Sequence, residues 1–158
     1  MQKIQPFLWF DNQAEEAAKL YVSLFKNSKI HGVSHYAAGA PQPAGSVMTV
    51  SFELDGLRII ALNGGPHFKF NEAVSFVVSA ETQEEIDFLW EKLSEDGGSP
   101  SQCGWIKDKY GLSWQITPPI LATLIGDPDP VRSARVMEAM LKMKKIVISE
   151  LQAAYDGN

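Results

Sequence analysis

The spacing of apolar side chains near the start of the chain changes from a continuous run to a helical period. Residues 3 to 10 are rich in aliphatic and aromatic side chains, which predicts a strand. Asn12, followed three residues later by Glu15, predicts the start of a helix. The apolar residues of this helix recur at spacings of three and four and predict one covered face: Ala14, Ala17, Ala18, Tyr21, Leu24 and Phe25.

Three strands are predicted after this helix, over residues 29 to 37, 47 to 53 and 57 to 62. The segment AGAPQPAG at 38 to 45 predicts an exposed loop, and Leu54-Asp55-Gly56 predicts the turn between the last two strands. The first part of the chain is therefore a strand, a helix and three strands.

The second half repeats this order. Residues 74 to 79 predict a strand, and Thr82 with Glu85 predicts a capping box at the start of a helix that ends at Gly97-Gly98. A short segment near Pro100, a hairpin and a last strand to Thr117 follow. The apolar stripe of the helix is formed by Ile86, Leu89, Trp90 and Leu93.

A shift of 69 positions relates the two halves, because it places Ala17 on Ile86 and Phe7 on Phe76. The chain therefore predicts two copies of one structural unit. Each copy has a helix with a single apolar face, so we expect the helices outside and the sheets curved around a shared interior. That interior is the natural place for a ligand.

The tail differs from both halves. Asp129-Pro130 predicts a helix start, and a second short helix is predicted to end at Tyr155. Residues 119 to 158 contain five basic and five acidic side chains, so the lysines at 142, 144 and 145 predict a solvated face more than an anion site. The apolar stripe predicts internal packing, with self-association as the alternative: Val136, Met137, Met140 and Leu141.

Composition limits the function classes. A chain of 158 residues fits one domain. The net charge of −5 disfavours nucleic acid and anionic membrane as partners, so a small neutral or cationic ligand is expected. One cysteine cannot form an internal disulfide or a zinc cluster. The N-terminus has no signal-peptide pattern and no apolar run approaches about 18 residues, so a soluble cytoplasmic protein is predicted.

Several segments resemble a known family. They are FLWFDNQAEEAAKLYVSLF at 7 to 25, NGGPHFKFNEAVSF at 63 to 76, GWIKDKYGLSWQITP at 104 to 118 and DPDPVRSARVMEAMLKMKKI at 127 to 146. They resemble the PhnB-like branch, often labelled "3-demethylubiquinone-9 3-methyltransferase domain", of the vicinal oxygen chelate superfamily. That superfamily includes glyoxalase I, bleomycin-resistance proteins and extradiol dioxygenases.

The resemblance implies an α+β fold of the glyoxalase/bleomycin-resistance/dihydroxybiphenyl dioxygenase type. We expect a single domain over residues 1–158, with two strand-helix-three-strand half-domains at 1–65 and 72–118 and a C-terminal helical extension at 119–158. The resemblance also implies a homodimer in which the two copies help to complete each cavity. Fold alone does not select a reaction.

Enzymes of this superfamily usually hold a divalent metal with His or Glu side chains on the first and last strand of each half. In this sequence the first-strand places fall on Pro6 or Gln5 and on Ser75. The last-strand places fall on Ala61, with Asn63 as its same-face neighbour, and on Gln115. Serine and amide side chains are poor ligands for a transition metal, so we predict no metal and no other cofactor.

Other candidate groups give weaker predictions. His31 and His35 would lie about 13 Å apart on a strand, too far to share one ion. His67 is alone in the loop between the halves, where a surface or pocket-rim role is favoured.

Cys103 lacks a predicted base and is expected to be a buried inert thiol in a strand. Neither Gly64-Gly65 nor Gly97-Gly98 follows a parallel strand and opens a helix, so S-adenosylmethionine binding is not expected.

A polar and aromatic lining remains as the candidate site. Strand alternation places Ser113, Gln115 and Thr117 on one face and Leu112, Trp114 and Ile116 on the other, so Gln115 points inward if the apolar set lies under the helix. Aromatic walls with a few amides and hydroxyls suit a planar or apolar small molecule, although core packing would explain the aromatics equally well. The predicted ligand-binding residues are Gln5, Phe7, Trp9, Asn63, His67, Ser75, Trp105 and Gln115.

The leading hypothesis is a metal-independent protein that binds an unidentified small, partly apolar molecule. The alternative is an enzyme, either a lyase or isomerase acting on vicinal oxygens, or the transferase that the family label suggests. A third hypothesis is a dimerising regulatory module that uses the tail at 130 to 155. The catalytic residues, if there are any, stay unassigned.

Overall fold

A computed structural model describes the whole chain from Met1 to Asn158. The chain divides into two compact units, Met1–Phe70 and Asn71–Asn158, and each unit contains one four-stranded sheet. No helix combines the length and the apolar character that crossing a membrane requires. The elements of the first unit are β1 (Phe7–Phe10), α1 (Ala14–Leu24), β2 (Lys29–His35), β3 (Val47–Leu54) and β4 (Leu57–Asn63). Those of the second unit are β5 (Ser75–Ser79), α2 (Gln83–Ser94), β6 (Ser99–Pro100), β7 (Trp105–Lys107), β8 (Ser113–Thr117), α3 (Pro119–Ile125), α4 (Pro130–Leu141) and α5 (Ile148–Asp156).

The first sheet has the order β1-β4-β3-β2, with β1 parallel to β4 and the other neighbours antiparallel. Asp55 and Gly56 have φ values of 45° and 85°, so they form the tight two-residue turn that suits the twist of β3 and β4. Helix α1 covers one face. The buried side chains of that face are Leu8, Phe10, Val50, Phe52, Ile59 and Ala61. The opposite face, which we call the helix-free face of the first sheet, carries Phe7, Trp9, Ile60 and Leu62.

The start of α1 differs from the prediction. Asn12 does not cap the helix; Gln13 occupies the N-cap position and makes no side-chain cap hydrogen bond. The side chain of Asn63, from the end of β4, instead accepts a hydrogen bond of 2.8 Å from the backbone N–H of Ala14. The sequence could not reveal this cap, because its donor and acceptor are far apart along the chain.

The second sheet has the order β5-β8-β7-β6, which is the order of the first sheet repeated. Strand β5 is parallel to β8, and the other neighbours are antiparallel. Ile86, Leu89 and Leu93 of α2 are buried, as are Ile106, Trp114 and Ile116 of the sheet. The predicted α+β architecture of two strand-helix-three-strand units with C-terminal helices is therefore confirmed.

The capping box of α2 is confirmed at its N-cap. The hydroxyl of Thr82 accepts a hydrogen bond of 3.2 Å from the backbone N–H of Glu85. The carboxylate of Glu85 reaches one residue beyond the expected partner and accepts from the N–H of Glu81 at 3.0 Å. Two N–H groups at this end of the helix region are satisfied in this way.

The tail contains one helix that the pattern did not predict. Helix α3 begins at Pro119 and is short. The predicted start of α4 is confirmed, because the Asp129 carboxylate accepts a hydrogen bond of 2.9 Å from Val131 N–H. Internal packing of the predicted α4 stripe is confirmed for Val136 and is wrong for Met137 and Leu141, which are exposed. Self-association through the exposed residues stays a prediction. The buried tail residues form one cluster of Leu121, Leu124, Val136, Met143, Ile146 and Leu151.

The shift of 69 positions between the halves is wrong for the strands. Phe7 lies on the helix-free face of the first sheet, whereas Phe76 contacts Trp114 on the helix-covered side of the second, with ring centroids 5.4 Å apart. Side chains alternate with a period of two, so a slip of one residue exchanges the faces. The repeat is real, but this alignment misassigns which residues share a face.

Candidate functional site

The helix-free face of the second sheet is the face opposite α2, and its central row of residues crosses three strands. Gln115 of β8 lies between its register partners Trp105 of β7 and Val77 of β5. The side-chain amide of Gln115 donates a hydrogen bond of 3.0 Å to the hydroxyl of Ser75. Three predicted site residues are therefore neighbours on one face. The alternation predicted for β8 is confirmed, since Leu112, Trp114 and Ile116 are buried and Gln115 faces the other way.

This row offers hydrogen-bonding groups that the protein leaves free. Gln115 Nε2 is used by Ser75, whereas Gln115 Oε1 and the indole N–H of Trp105 have no partner in the chain. The Ser75 hydroxyl accepts from Gln115 and keeps its own proton for donation. The second N–H of the Gln115 amide is also unused. The face can therefore accept a hydrogen bond at Gln115 Oε1 and donate three, from Gln115, Ser75 and Trp105, beside the flat surface of an indole ring.

A second row lies next to the first and carries a charge. Ser113 of β8 lies between Lys107 of β7 and Ser75 of β5. The Lys107 ammonium is 2.7 Å from a carboxylate oxygen of Glu72, and this hydrogen bond holds the pKa of Glu72 below its ordinary value. The Ser113 hydroxyl is completely buried and has no hydrogen-bond partner.

Asp108 fixes the turn that joins β7 to β8 and so sets the register of both rows. Its buried carboxylate accepts hydrogen bonds from the backbone N–H groups of Tyr110 at 2.9 Å and Leu112 at 3.1 Å. The indole N–H of Trp114 donates to the other oxygen at 3.0 Å. Buried carboxylates persist when several donors satisfy them, so this turn is a rigid support.

The helix-free face of the first sheet is aromatic. Phe7 is exposed, and Trp9 is half-buried. The Trp9 indole N–H donates a hydrogen bond of 2.9 Å to the Gly65 carbonyl, and Phe68 approaches the ring edge-on with centroids 4.9 Å apart. The Trp9 ring lies so close to Gly64 that a Cβ there would come within 2.3 Å of it. The segment after β4 is thus held against Trp9.

The remaining predicted site residues lie elsewhere. Gln5 is exposed ahead of β1, and His67 is exposed in the segment after β4. Asn63 lies on the helix-covered face, where its oxygen accepts from Ala14 and its amide donates to the Val47 carbonyl at 3.1 Å. Both ends of the Asn63 side chain are therefore committed to the fold.

The side chains at the positions that the resemblance assigns to metal ligands do not form a metal site. Ala61 and Asn63 face α1, whereas Ser75 and Gln115 lie on the helix-free face of the second sheet. The helix-free positions of β1 and β4 are apolar: Phe7, Trp9, Ile60 and Leu62. Carbon, amide and hydroxyl groups lack the imidazole, thiolate or carboxylate character that a transition metal needs, so these residues do not fit a metal. The chain also has no group of three or more His, Cys, Asp or Glu placed to hold an ion.

His31 has a different partner from the one a metal site would require. Its Nε2 is 2.7 Å from a carboxylate oxygen of Glu53 on the neighbouring strand β3. This hydrogen bond lowers the pKa of Glu53. His31 and Glu53 therefore form a cross-strand pair, and His35 has no part in it.

Cys103 occupies a turn and not a strand, which corrects the prediction. Its φ is 57° and that of Gly104 is 84°, and the side chain is partly exposed, not buried. The backbone N–H of Cys103 donates to the Met143 carbonyl at 2.9 Å, and that of Gly104 donates to the Lys144 carbonyl at 2.8 Å. These bonds attach the turn to the tail.

Sequence reasoning did not single out Lys107, Glu72 or Ser113. Alternation along β8 places Ser113 on the face of Gln115, so the sequence predicts the orientation of its side chain. Pairing with Lys107 depends on the register between β7 and β8, and the Glu72 contact depends on the path of the segment before β5. Neither can be read from a periodic pattern.

The chain matches the model of one protein family over residues 2–117, and that family is described as 3-demethylubiquinone-9 3-methyltransferase. The matched range ends at Thr117, before α3 begins. No curated protein matches the chain.

Solved structures show the same fold. The chain is similar to a PhnB protein from Bacillus cereus that carries the same family label, with 38% sequence identity, coverage of 74% of this chain and 99% of that chain, and a TM-score of 0.68. A protein from Pseudomonas aeruginosa is 19% identical over 75% of this chain and 98% of that chain, with a TM-score of 0.60. The fosfomycin resistance protein FosX from Listeria monocytogenes, solved with Mn(II) and sulfate, is 16% identical over 75% of this chain and 93% of that chain, with a TM-score of 0.54.

Proposed function

Because the chain belongs to the PhnB-like family described as 3-demethylubiquinone-9 3-methyltransferase, within the vicinal oxygen chelate superfamily, we propose that it binds a small, partly apolar molecule without a metal ion. The proposed site is the helix-free face of the second sheet. Gln115, Ser75 and Trp105 are its central residues. The glyoxalase/bleomycin-resistance fold supports this proposal but does not select the ligand.

The observation that carries the proposal is the hydrogen bond between Gln115 and Ser75 beside Trp105. The bond orients the Gln115 amide so that its oxygen is available to a ligand donor. The indole of Trp105 offers both an apolar surface and an N–H donor, a combination that suits a flat molecule with one or two polar groups.

We propose binding without a metal because of the side-chain groups at the candidate ligand positions. FosX is described with Mn(II), but at 16% identity it shows the fold alone. In this chain the candidate positions carry a hydroxyl at Ser75 and an amide at Gln115, and these groups are weak ligands for Mn(II) or Zn(II). They are good partners for carbonyl, amide and hydroxyl groups of an organic molecule.

The family label names methyl transfer, which requires a binding site for a methyl donor. The turns that lead from the parallel strands into helices contain Asp11-Asn12-Gln13 and Ala80-Glu81-Thr82, so neither has the glycines that let backbone amides approach a cofactor. Gly64 is packed under the Trp9 ring. We expect no heat of binding when S-adenosylmethionine is titrated into the protein; a saturable signal would favour the transferase.

The resemblance further leads us to propose a cytoplasmic homodimer in which the copies help to complete each binding cavity. Light scattering at several protein concentrations tests the assembly. A monomer at every concentration would contradict it.

Benzamide is a suitable neutral probe, since it has a flat ring and both a carbonyl and an N–H group. We expect it to bind protein that has been treated with a chelator. Replacing Gln115 by Leu removes the amide at nearly constant volume and should weaken binding about tenfold, which corresponds to one lost hydrogen bond of about 1.4 kcal/mol. Gln102→Leu, at an exposed turn position, is the matched control and should bind as the wild type does. Affinity that is unchanged in Gln115→Leu, or that appears only after a divalent metal is added, would overturn the proposal.

A further inference from the structure

The positive charge of Lys107 on the second sheet indicates the chemical class of the ligand. We propose that this face takes a small aromatic acid, whose carboxylate binds Lys107 in the place that the Glu72 carboxylate occupies in the structure. The inference rests on the proposed function, since it assigns the ligand class of the same face.

Lys107 is the one charged side chain in the strands of the second sheet; the other residues of β5, β6, β7 and β8 are apolar or uncharged. It lies on the same face as Trp105, two residues away along β7. A single cation beside an aromatic side chain and the Gln115 amide is a specific feature of this face. It complements a flat molecule that carries one negative charge. This ligand class differs from the neutral or cationic ligand expected from the net charge of −5, because a ligand on this face contacts Lys107 and not the average charge of the chain.

Glu72 shows that a carboxylate fits against Lys107. Its oxygen lies 2.7 Å from the ammonium, the distance of a good charge-assisted hydrogen bond. Glu72 lies in the segment before β5, and its side chain is 60% exposed, while that of Lys107 is 42% exposed. Exposed ion pairs contribute little to stability, so a ligand carboxylate can replace this one at low cost.

Ser113 supplies a second, independent indication. It is the direct register partner of Lys107, which places the two Cβ atoms roughly 5 Å apart on one face. Its hydroxyl is completely buried and unpartnered, and such groups are rare because burial without a hydrogen bond is unfavourable. A ligand carboxylate at Lys107 would have two oxygens, of which one would bind the ammonium and the other would accept the Ser113 proton once the atoms that bury this hydroxyl move aside.

The two rows together define the expected ligand. The anionic group would lie on the row of Lys107 and Ser113, and the ring would lie on the row of Trp105 and Gln115. Adjacent residues of one face along a strand are about 6.6 Å apart at 3.3 Å per residue, which matches the length of a benzoate-sized molecule.

Benzoate and benzamide form a matched pair of probes, because they have nearly the same shape and differ in charge. In chelator-treated protein, Lys107→Gln should weaken benzoate binding tenfold or more and leave benzamide binding unchanged. Glu72→Gln removes the internal competitor and should strengthen benzoate binding severalfold. Ser113→Ala should weaken benzoate and not benzamide. Lys92→Gln, which removes an exposed lysine of α2, is the control and should change neither.

The outcomes separate this inference from the proposed function. Benzoate affinity that is unaffected by Lys107→Gln, or not increased by Glu72→Gln, overturns the inference even if benzamide binds and depends on Gln115. Failure of benzamide to bind the wild type overturns the proposed function and the inference with it. Thermal unfolding followed by circular dichroism shows whether each variant is folded. Glu72→Gln should fold normally, because the Glu72 side chain is exposed.

Discussion

The side-chain oxygen of Asn63 accepts a hydrogen bond of 2.8 Å from the backbone N–H of Ala14, and so the end of β4 caps the start of α1. The amide of the same side chain donates to the Val47 carbonyl on β3. One buried residue therefore connects the helix to two strands of the first sheet. The sequence predicts Asn63 as a ligand-binding residue, whereas its observed contacts indicate a role in the fold.

Replacing Asn63 by Ala should destabilise the protein by about 1–3 kcal/mol, because it removes a helix cap and leaves the buried N–H of Ala14 without a partner. Urea unfolding followed by circular dichroism measures the change. Asn71→Ala is the control, since Asn71 makes only an exposed loop hydrogen bond to Ala73, and it should cost less than about 0.5 kcal/mol. Equal stability of the two variants would contradict the assigned role of Asn63.

Gly64 is required by the Trp9 ring above it. A Cβ at this position would lie 2.3 Å from two ring atoms, so Gly64→Ala must displace the ring or the segment that follows β4. We expect a loss of roughly 1–3 kcal/mol, typical of an overpacked site, and a changed tryptophan emission spectrum.

Gly32→Ala is the matched control for this prediction. A Cβ at Gly32 meets nothing within 4 Å, so this substitution should leave stability and emission unchanged or slightly improve stability. If Gly64→Ala behaved in the same way as Gly32→Ala, the Trp9 packing described above would be wrong.

The pair of His31 and Glu53 predicts a defined response to pH. The hydrogen bond from His31 lowers the pKa of Glu53 in the folded protein. The folded chain therefore binds this proton less tightly than the unfolded chain does. The resulting stabilisation is fully present above the ordinary glutamate pKa of about 4.3 and is lost as the pH falls through the lower folded-state value.

His31→Ala should raise the pKa of Glu53, as measured by NMR titration of its side-chain carboxyl carbon. His35→Ala is the control, because the Glu53 carboxylate bonds to His31 and not to His35. A Glu53 titration that is identical in the wild type and in His31→Ala would show that the pair does not form in solution.

The sequence predicts the fold well, because the helices and strands of each unit follow from helical periods, caps and strand alternation within short segments. The buried positions 14, 17, 18 and 21 of α1 follow the helical period, and the capping residue Thr82 is beside the helix that it starts. Alternation also predicted which face of β8 carries Gln115. Patterns of this kind depend on neighbours in the sequence, so one chain is enough to reveal them.

What the sequence could not predict depends on contacts between distant residues. The cap of α1 comes from Asn63, and the partner of Gln115 is Ser75 on another strand. The alignment of the two halves placed Phe7 on Phe76, although their side chains lie on different faces of their sheets. Helix α3 was missed because it is short and begins at the second of two consecutive prolines, which resemble a loop.

NMR of chelator-treated protein during a benzamide titration shows whether the helix-free face of the second sheet binds a small molecule without a metal. We expect saturable shifts of the Trp105 indole N–H and the Gln115 side-chain amide. The indole signals of the other tryptophans should stay in place, and the shifts should be lost in Gln115→Leu. Shifts confined to other residues, or shifts that appear only after a divalent metal is added, would contradict metal-free binding at this face.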